Sequence, residues 1–243
     1  FPSLSEHTLS DIGAYEFHGI SEFTVTTTAD TVDATPGDGA AEDAEGNTSL
    51  RAALMEANAL GGDATVILPA GVYELSIARD DENDEPTGDL DITSDITIVG
   101  AGADVTIIDA KQIDRVIDID GNATISGVTI TGGDLTGAYG GGIRIVGSVV
   151  LLDAVVVTDN YGRSGTGGIA SQGNMTITNS EISNNKTDFM AGGVWVWGSA
   201  GKATIRNTTI SGNEASHAGG IAVWQTQNSL TLENVTIYDN SAG

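Results

Sequence analysis

Cysteine is absent from all 243 residues, so neither a disulfide nor a thiol-ligated metal holds this chain together. That absence leaves the compartment open, because a chain of this length can bury a core without covalent staples. Cations are scarce too: nine Lys plus Arg stand against 34 Asp plus Glu, a net charge of −25. Nucleic acids and anionic lipid surfaces attract clustered cations, so neither is an expected partner. Long apolar runs are missing as well. Even VVLLDAVVV, residues 149–157, falls short of the roughly 18 residues of a membrane span and is broken by Asp153. A Ser nucleophile elbow, a zincin helix, a P-loop and a dinucleotide fingerprint are all lacking.

What is present is 33 Gly, few Pro, and a wealth of Thr, Ile and Val, the composition of many short strands joined by tight turns. An internal repeat organises them. ATISGVTITGG, VLLDAVVVTDN, MTITNSEISNN, ATIRNTTISGN and LTLENVTIYDN succeed one another, with anchors at Ile130, Val157, Ile182, Ile210 and Ile237. Five residues before each anchor stands Ile125, Leu152, Ile177, Ile205 or Leu232. A second motif interleaves, in YGGGIRIVG, GTGGIASQG, AGGVWVWG and AGGIAVWQ, anchored at Ile143, Ile169, Val194 and Ile221. A unit of about 26 residues with two or more period-2 strands cannot bury its own apolar face, but stacked copies bury one another's. The expected fold is therefore all-β: a right-handed parallel β-helix, like residue stacked on like residue.

Asn160, Asn185, Asn213 and Asn240 recur at one corner, where amides can bond from coil to coil and Asn tolerates the left-handed backbone of a tight turn. Ahead of the clear repeats, NTSLRAALMEANALGG places Leu50, Ala53, Leu54 and Ala57 at helical spacing, with Asn, Thr and Ser to start and Gly61-Gly62 to stop. One amphipathic helix there would cap the solenoid, whose first coil otherwise lacks a partner.

Functional candidates are fewer. Asp114, Asp118 and Asp120, with Arg115, cluster around VIDIDG and are the best catalytic candidates, since glycoside hydrolysis needs two neighbouring carboxyls. Asp80, Asp81, Asp84, Glu85 and Asp89 offer oxygen ligands for calcium, without the ordered positions of an EF-hand. His217 reads as a turn residue. If Val194 and Val196 face inward with Ile221 and Val223, then Trp195, Trp197 and Trp224 face outward, with Trp197 beside Trp224 on the next coil. Such an aromatic patch suits a neutral sugar or a protein.

FTVTTTADTVDATPGDG, GNTSLRAALMEANAL, IVGAGADVTIIDA and VTITGG together resemble the CSLREA-type domains of secreted bacterial and archaeal surface proteins, which carry parallel β-helix repeats and varied anchors. The likeness covers most of residues 23 to 243. The family's usual cysteines are replaced by Thr48 and Ala41, so its disulfide is not implied here. Domains of this type commonly finish in a sequence like DIGAYE, which Asp11 to Phe17 matches. The resemblance implies three segments. Residues 1–19 are the tail of a preceding domain or a donor segment, with Ile12, Tyr15 and Phe17 as its buried side chains. Residues 20–80 are N-terminal strands and the capping helix, and 81–243 are coils without a C-terminal cap. It further implies an extracellular structural or adhesive protein that self-associates head to tail as part of a fibre or cell-surface assembly. A carbohydrate-active enzyme, lyase or hydrolase, is the alternative reading. A lyase for polyuronates sits poorly with the charge of −25 unless calcium inverts the local field.

Overall fold

The computed structural model describes residues 21–78, 87–137, 139–147, 149–199 and 201–243, and its architecture is the expected parallel β-helix. Four sheets run along it. The first has eight strands, from Ser21–Thr24 to Ser229–Glu233, and the second seven, from Gly71–Glu74 to Thr236–Tyr238. The third has six, from Leu90–Ile92 to Ile221–Val223, and the fourth five two-residue strands, from Asp134–Leu135 to Ser241–Ala242. From Ala123 onward each coil visits the first, second, fourth and third sheets in turn, whereas the earlier coils pass from the second sheet directly to the third.

The ladders read from the sequence are the core. Ile125, Leu152, Ile177 and Ile205 are successive partners in the first sheet, and Ile130, Val157, Ile182 and Ile210 in the second. Ile117, Ile143, Ile169 and Val194 do the same in the third. All twelve are fully buried, and each such side chain contributes about 1.5–3 kcal/mol by leaving water. One apolar cluster extends from Phe23 to Ile210, so the early strands and the regular coils share a core. In the last coil Leu232 and Ile237 continue the ladders but are 43% and 47% exposed.

The helix forms as expected, over Leu50–Leu60. Ser49 caps it by accepting the Ala52 N–H, and Gly61 ends it in the left-handed region at φ 66°. Leu50, Ala53, Leu54 and Ala57 join the main core, and the helix packs on the first strands of the first and third sheets. Arg51, also buried, binds both oxygens of Asp30 and the carbonyls of Gly88 and Asp89, fastening the cap to the first coil.

The asparagine corner divides its labour differently from expectation. Positive φ falls one residue earlier, at Asp159, Asn184, Gly212 and Asp239. Asn160, Asn185 and Asn213 instead point inward, fully or almost fully buried, and chain their amides from coil to coil. The Gly-Gly pairs of the second motif pass directly over this ladder. A Cβ on Gly168 would stand 2.4 Å from the Gly193 carbonyl oxygen and 3.2 Å from the Asn185 amide, so side chains are excluded there.

Candidate functional site

The outer face of the third sheet carries chemistry at both ends. One outward column runs Asp91, Asp118, Arg144, Ala170, Trp195, Ala222, paired strand to strand about 4.8 Å apart. Its first half is ionic. Arg144 clasps both oxygens of Asp118 at 2.6 to 3.0 Å, and Arg115 Nη2 reaches Asp118 Oδ2 at 3.4 Å. Arg115 Nε also binds Asp89 at 2.8 Å, with both side chains almost wholly buried. Burial works against the Arg115 charge, but Asp89 and Asp118 outweigh it and hold its pKa above the ordinary value.

The structure thus brings Asp114, Arg115 and Asp118 into one buried cluster, while Asp120 is exposed. Asp114 Oδ1 accepts the Arg115 backbone N–H at 2.8 Å. Asp118 is charge-compensated on both oxygens, which suits a structural ion-pair network better than proton transfer. Asp89, Asp91 and Asp118 set carboxylate oxygens within 4.8 Å of one another, a spacing a cation could use. Two guanidinium groups already supply positive charge there. Asp89 is buried and bonded to Arg115. Asp80, Asp81, Asp84 and Glu85 lie outside the described residues, as do Ile12, Tyr15 and Phe17.

The other half of the face is aromatic. Val194 and Val196 point inward as expected, but Trp195, on the outward side, is only 5% exposed. The expectation of three open indoles is corrected by Tyr139, whose ring meets Trp195 edge-on at 5.1 Å and Trp197 at 4.6 Å. Met190 and Ala191 complete the cover. The ring stacked on Trp197 is that of Trp195, at 5.4 Å and 23° between planes. Trp224 does lie one rung beyond Trp197, its backbone N–H donating to the Val196 carbonyl at 2.9 Å, and is 51% exposed. Phe189, 40% exposed, borders the same groove and rests against His217, which sits in a bend as expected.

This groove encloses about 240 Å³ among Phe189, Met190, Trp195, Trp197, Trp224 and Gln225. Two of its lining residues carry a polar atom that is shielded from water and has no hydrogen-bond partner: Nε1 of Trp195 and Nε1 of Trp197. Asn228 fixes its mouth, accepting the Gly201 N–H and donating to the carbonyls of Gly198 and Trp224. A larger, open groove of about 490 Å³ crosses the first sheet over Thr65, Thr97 and Thr124, where Asn122 bonds Asp95.

Sequence reasoning missed Tyr139 and Arg144. The pairing of Arg144 with Asp118 was available from the repeat register, since Ile143 follows Ile117 by one coil. The position of Tyr139 was not, because it lies in the irregular arc between the fourth and third sheets.

Among the described residues no helix is long and apolar enough to cross a membrane. Comparison with curated proteins and with solved structures finds no match to the chain. Residues 115–243 match the family described as right handed beta helix region, beginning at the ion-paired Arg115 and spanning every coil that builds the aromatic groove. With more than half its length matched and the stacked parallel coils in place, the chain belongs to the right-handed β-helix family.

Proposed function

We propose that this protein is an extracellular, cell-surface β-helix with a structural and adhesive role, using the aromatic groove of the third sheet as its contact surface. The observation that carries this reading is the groove itself. Half-exposed Trp224 directly follows the last strand of the third sheet, half-exposed Phe189 sits in a bend beside it, and aromatic side chains offer large contact area at low entropy cost. The resemblance of most of residues 23 to 243 to secreted surface-protein domains supports the extracellular compartment. Calcium remains a candidate partner for the acidic stretch, and head-to-tail self-association for the assembled state.

The enzyme alternative is favoured by one observation, that the charges of Asp114 and Asp118 both act on the buried Arg115, and opposed by the guanidinium groups on Asp118. Two measurements test the reading. Beads coated with the full chain should adhere to the envelope of the producing cell, and Trp224→Ala should cut that adhesion severalfold. Incubation with neutral and acidic polysaccharides, with and without calcium, should release neither reducing ends nor unsaturated uronates. Robust turnover, or adhesion indifferent to Trp224, overturns it.

A further inference from the structure

We infer that the groove between Phe189 and Trp224 is a subsite for an uncharged glycan, which it binds by stacking a sugar ring on Trp224 and donating hydrogen bonds from the buried indoles. The inference rests on the contact-surface reading above and adds the class of ligand.

Three features of the groove select that class. The first is shape. At about 240 Å³ it falls below the roughly 300–1,000 Å³ of sites for drug-sized molecules, so it takes a single ring and not a helix or loop of a protein. The second is donor chemistry. Trp195 is 5% exposed and its Nε1, like that of Trp197, has no acceptor. A desolvated donor left unpaired is costly, and an indole can only donate, so the complementary ligand carries acceptors such as hydroxyl or ring oxygens. Trp224, half-exposed at the mouth, can change rotamer and admit it past the ring of Phe189.

The third is charge. Anionic acceptors, such as uronates and sulfated sugars, meet a chain of net −25 and are repelled within roughly 8 Å at physiological salt. Cations would be attracted to the same field and to the ring faces, but they leave the two N–H groups unsatisfied. An uncharged ring with apolar C–H faces and peripheral hydroxyls meets all three conditions. Gln225 lines the mouth with an amide able to donate and accept, the usual polar complement to a stacking platform.

The test is affinity electrophoresis and tryptophan fluorescence titration of the full chain against dextran, laminarin, mannan and xylan. Polygalacturonate and tetramethylammonium serve as the anionic and cationic probes. At least one uncharged polysaccharide should retard the protein and shift its emission, and the charged probes should not. Trp224→Ala, on an exposed side chain, should weaken binding about tenfold or more. Trp197→Phe keeps a ring but removes the donor, and should weaken it about threefold to tenfold, with acrylamide quenching confirming that the groove is unchanged. Failure of all four uncharged polysaccharides overturns the inference, as does binding that survives Trp224→Ala or a response to tetramethylammonium alone. If the Trp224→Ala protein loses adhesion to the cell envelope while no glycan binds, the contact surface stands and its ligand is of another class.

Discussion

Tyr139 meets Trp197 edge-on at 4.6 Å, joining two residues that lie two coils apart in the chain. The same tyrosine offers its backbone carbonyl to Arg115 at 3.2 Å. One residue thus connects the ionic and aromatic halves of the third sheet's outer face.

Removing that ring should open the cluster. In Tyr139→Ala, Trp195 loses its edge-on cover and should pass from buried to solvated, since the ring that shields it is gone. Fluorescence emission is expected to shift to the red and near-ultraviolet circular dichroism to weaken, while far-ultraviolet signal stays unchanged. An unchanged emission maximum would mean that Met190 and Ala191 suffice to cover Trp195.

Asn185 is the central rung of the amide ladder. Its Oδ1 accepts from the Asn160 backbone and side chain at 3.1 and 3.0 Å, and its Nδ2 donates to the Val157 carbonyl and to Asn213 Oδ1 at 2.9 and 3.0 Å. Asn185→Ala orphans several buried groups at once and should destabilise by about 2–4 kcal/mol. Asn185→Asp keeps the acceptors but loses the donors, and should be at least as damaging. Urea unfolding midpoints, with hydrogen exchange at the neighbouring coils, would measure both.

Ala154 occupies a left-handed corner at φ 52°, where the equivalent residues of later coils are Asn179, Asn207 and Asn234. Those three form an exposed amide row, Asn207 to Asn179 at 3.2 Å and Asn234 to Asn207 at 2.9 Å. Alanine bears the Cβ penalty with no compensating bond. Ala154→Gly should stabilise by about 0.5–1 kcal/mol, and Ala154→Asn by a similar amount with the row extended. A lower melting temperature in both variants would contradict this account of the corner.

Stability should depend on pH through Asp33. This side chain is 4% exposed and its Oδ2 has no donor, while fully buried Glu56 is occupied by the N–H groups of Gly37 and Gly39. Burial raises the Asp33 pKa above its ordinary 3.8, the Thr35 N–H opposes that, and the charge of Glu56 adds to it. The folded state therefore retains a proton that the unfolded state releases. This contribution is most favourable below the unfolded pKa and is lost as pH rises through the folded one. Asp33→Asn removes the charge and gives the unpaired side a donor facing Glu56. It should stabilise at pH 7 by about 1 kcal/mol, and the advantage should vanish toward about pH 3, where the wild-type carboxyl is protonated. Urea midpoints across that range would check the sign.

The repeat period fixed most of the fold because burial in a solenoid is local and additive. Once Ile130, Val157 and Ile182 recur at coil spacing, parallel pairing in that register is the arrangement that buries them all. Ser49 and Gly61 marked the helix ends for a similarly local reason, the unpaired N–H groups of its first turn and the turn that must follow its last. Only the tertiary structure decided how the outward residues behave. Period 2 sends Trp195, Asp118 and Arg144 to the outer face, but whether they meet water depends on what crosses that face. The irregular arc that carries Tyr139 obeys no period. It closed over Trp195 while leaving Trp224 open, and the guanidiniums of buried Arg115 and half-buried Arg144 turned a candidate acid cluster into an ion-pair network. Sequence period specifies which side of a strand a residue takes, whereas exposure and charge compensation are set by neighbours brought together from different coils.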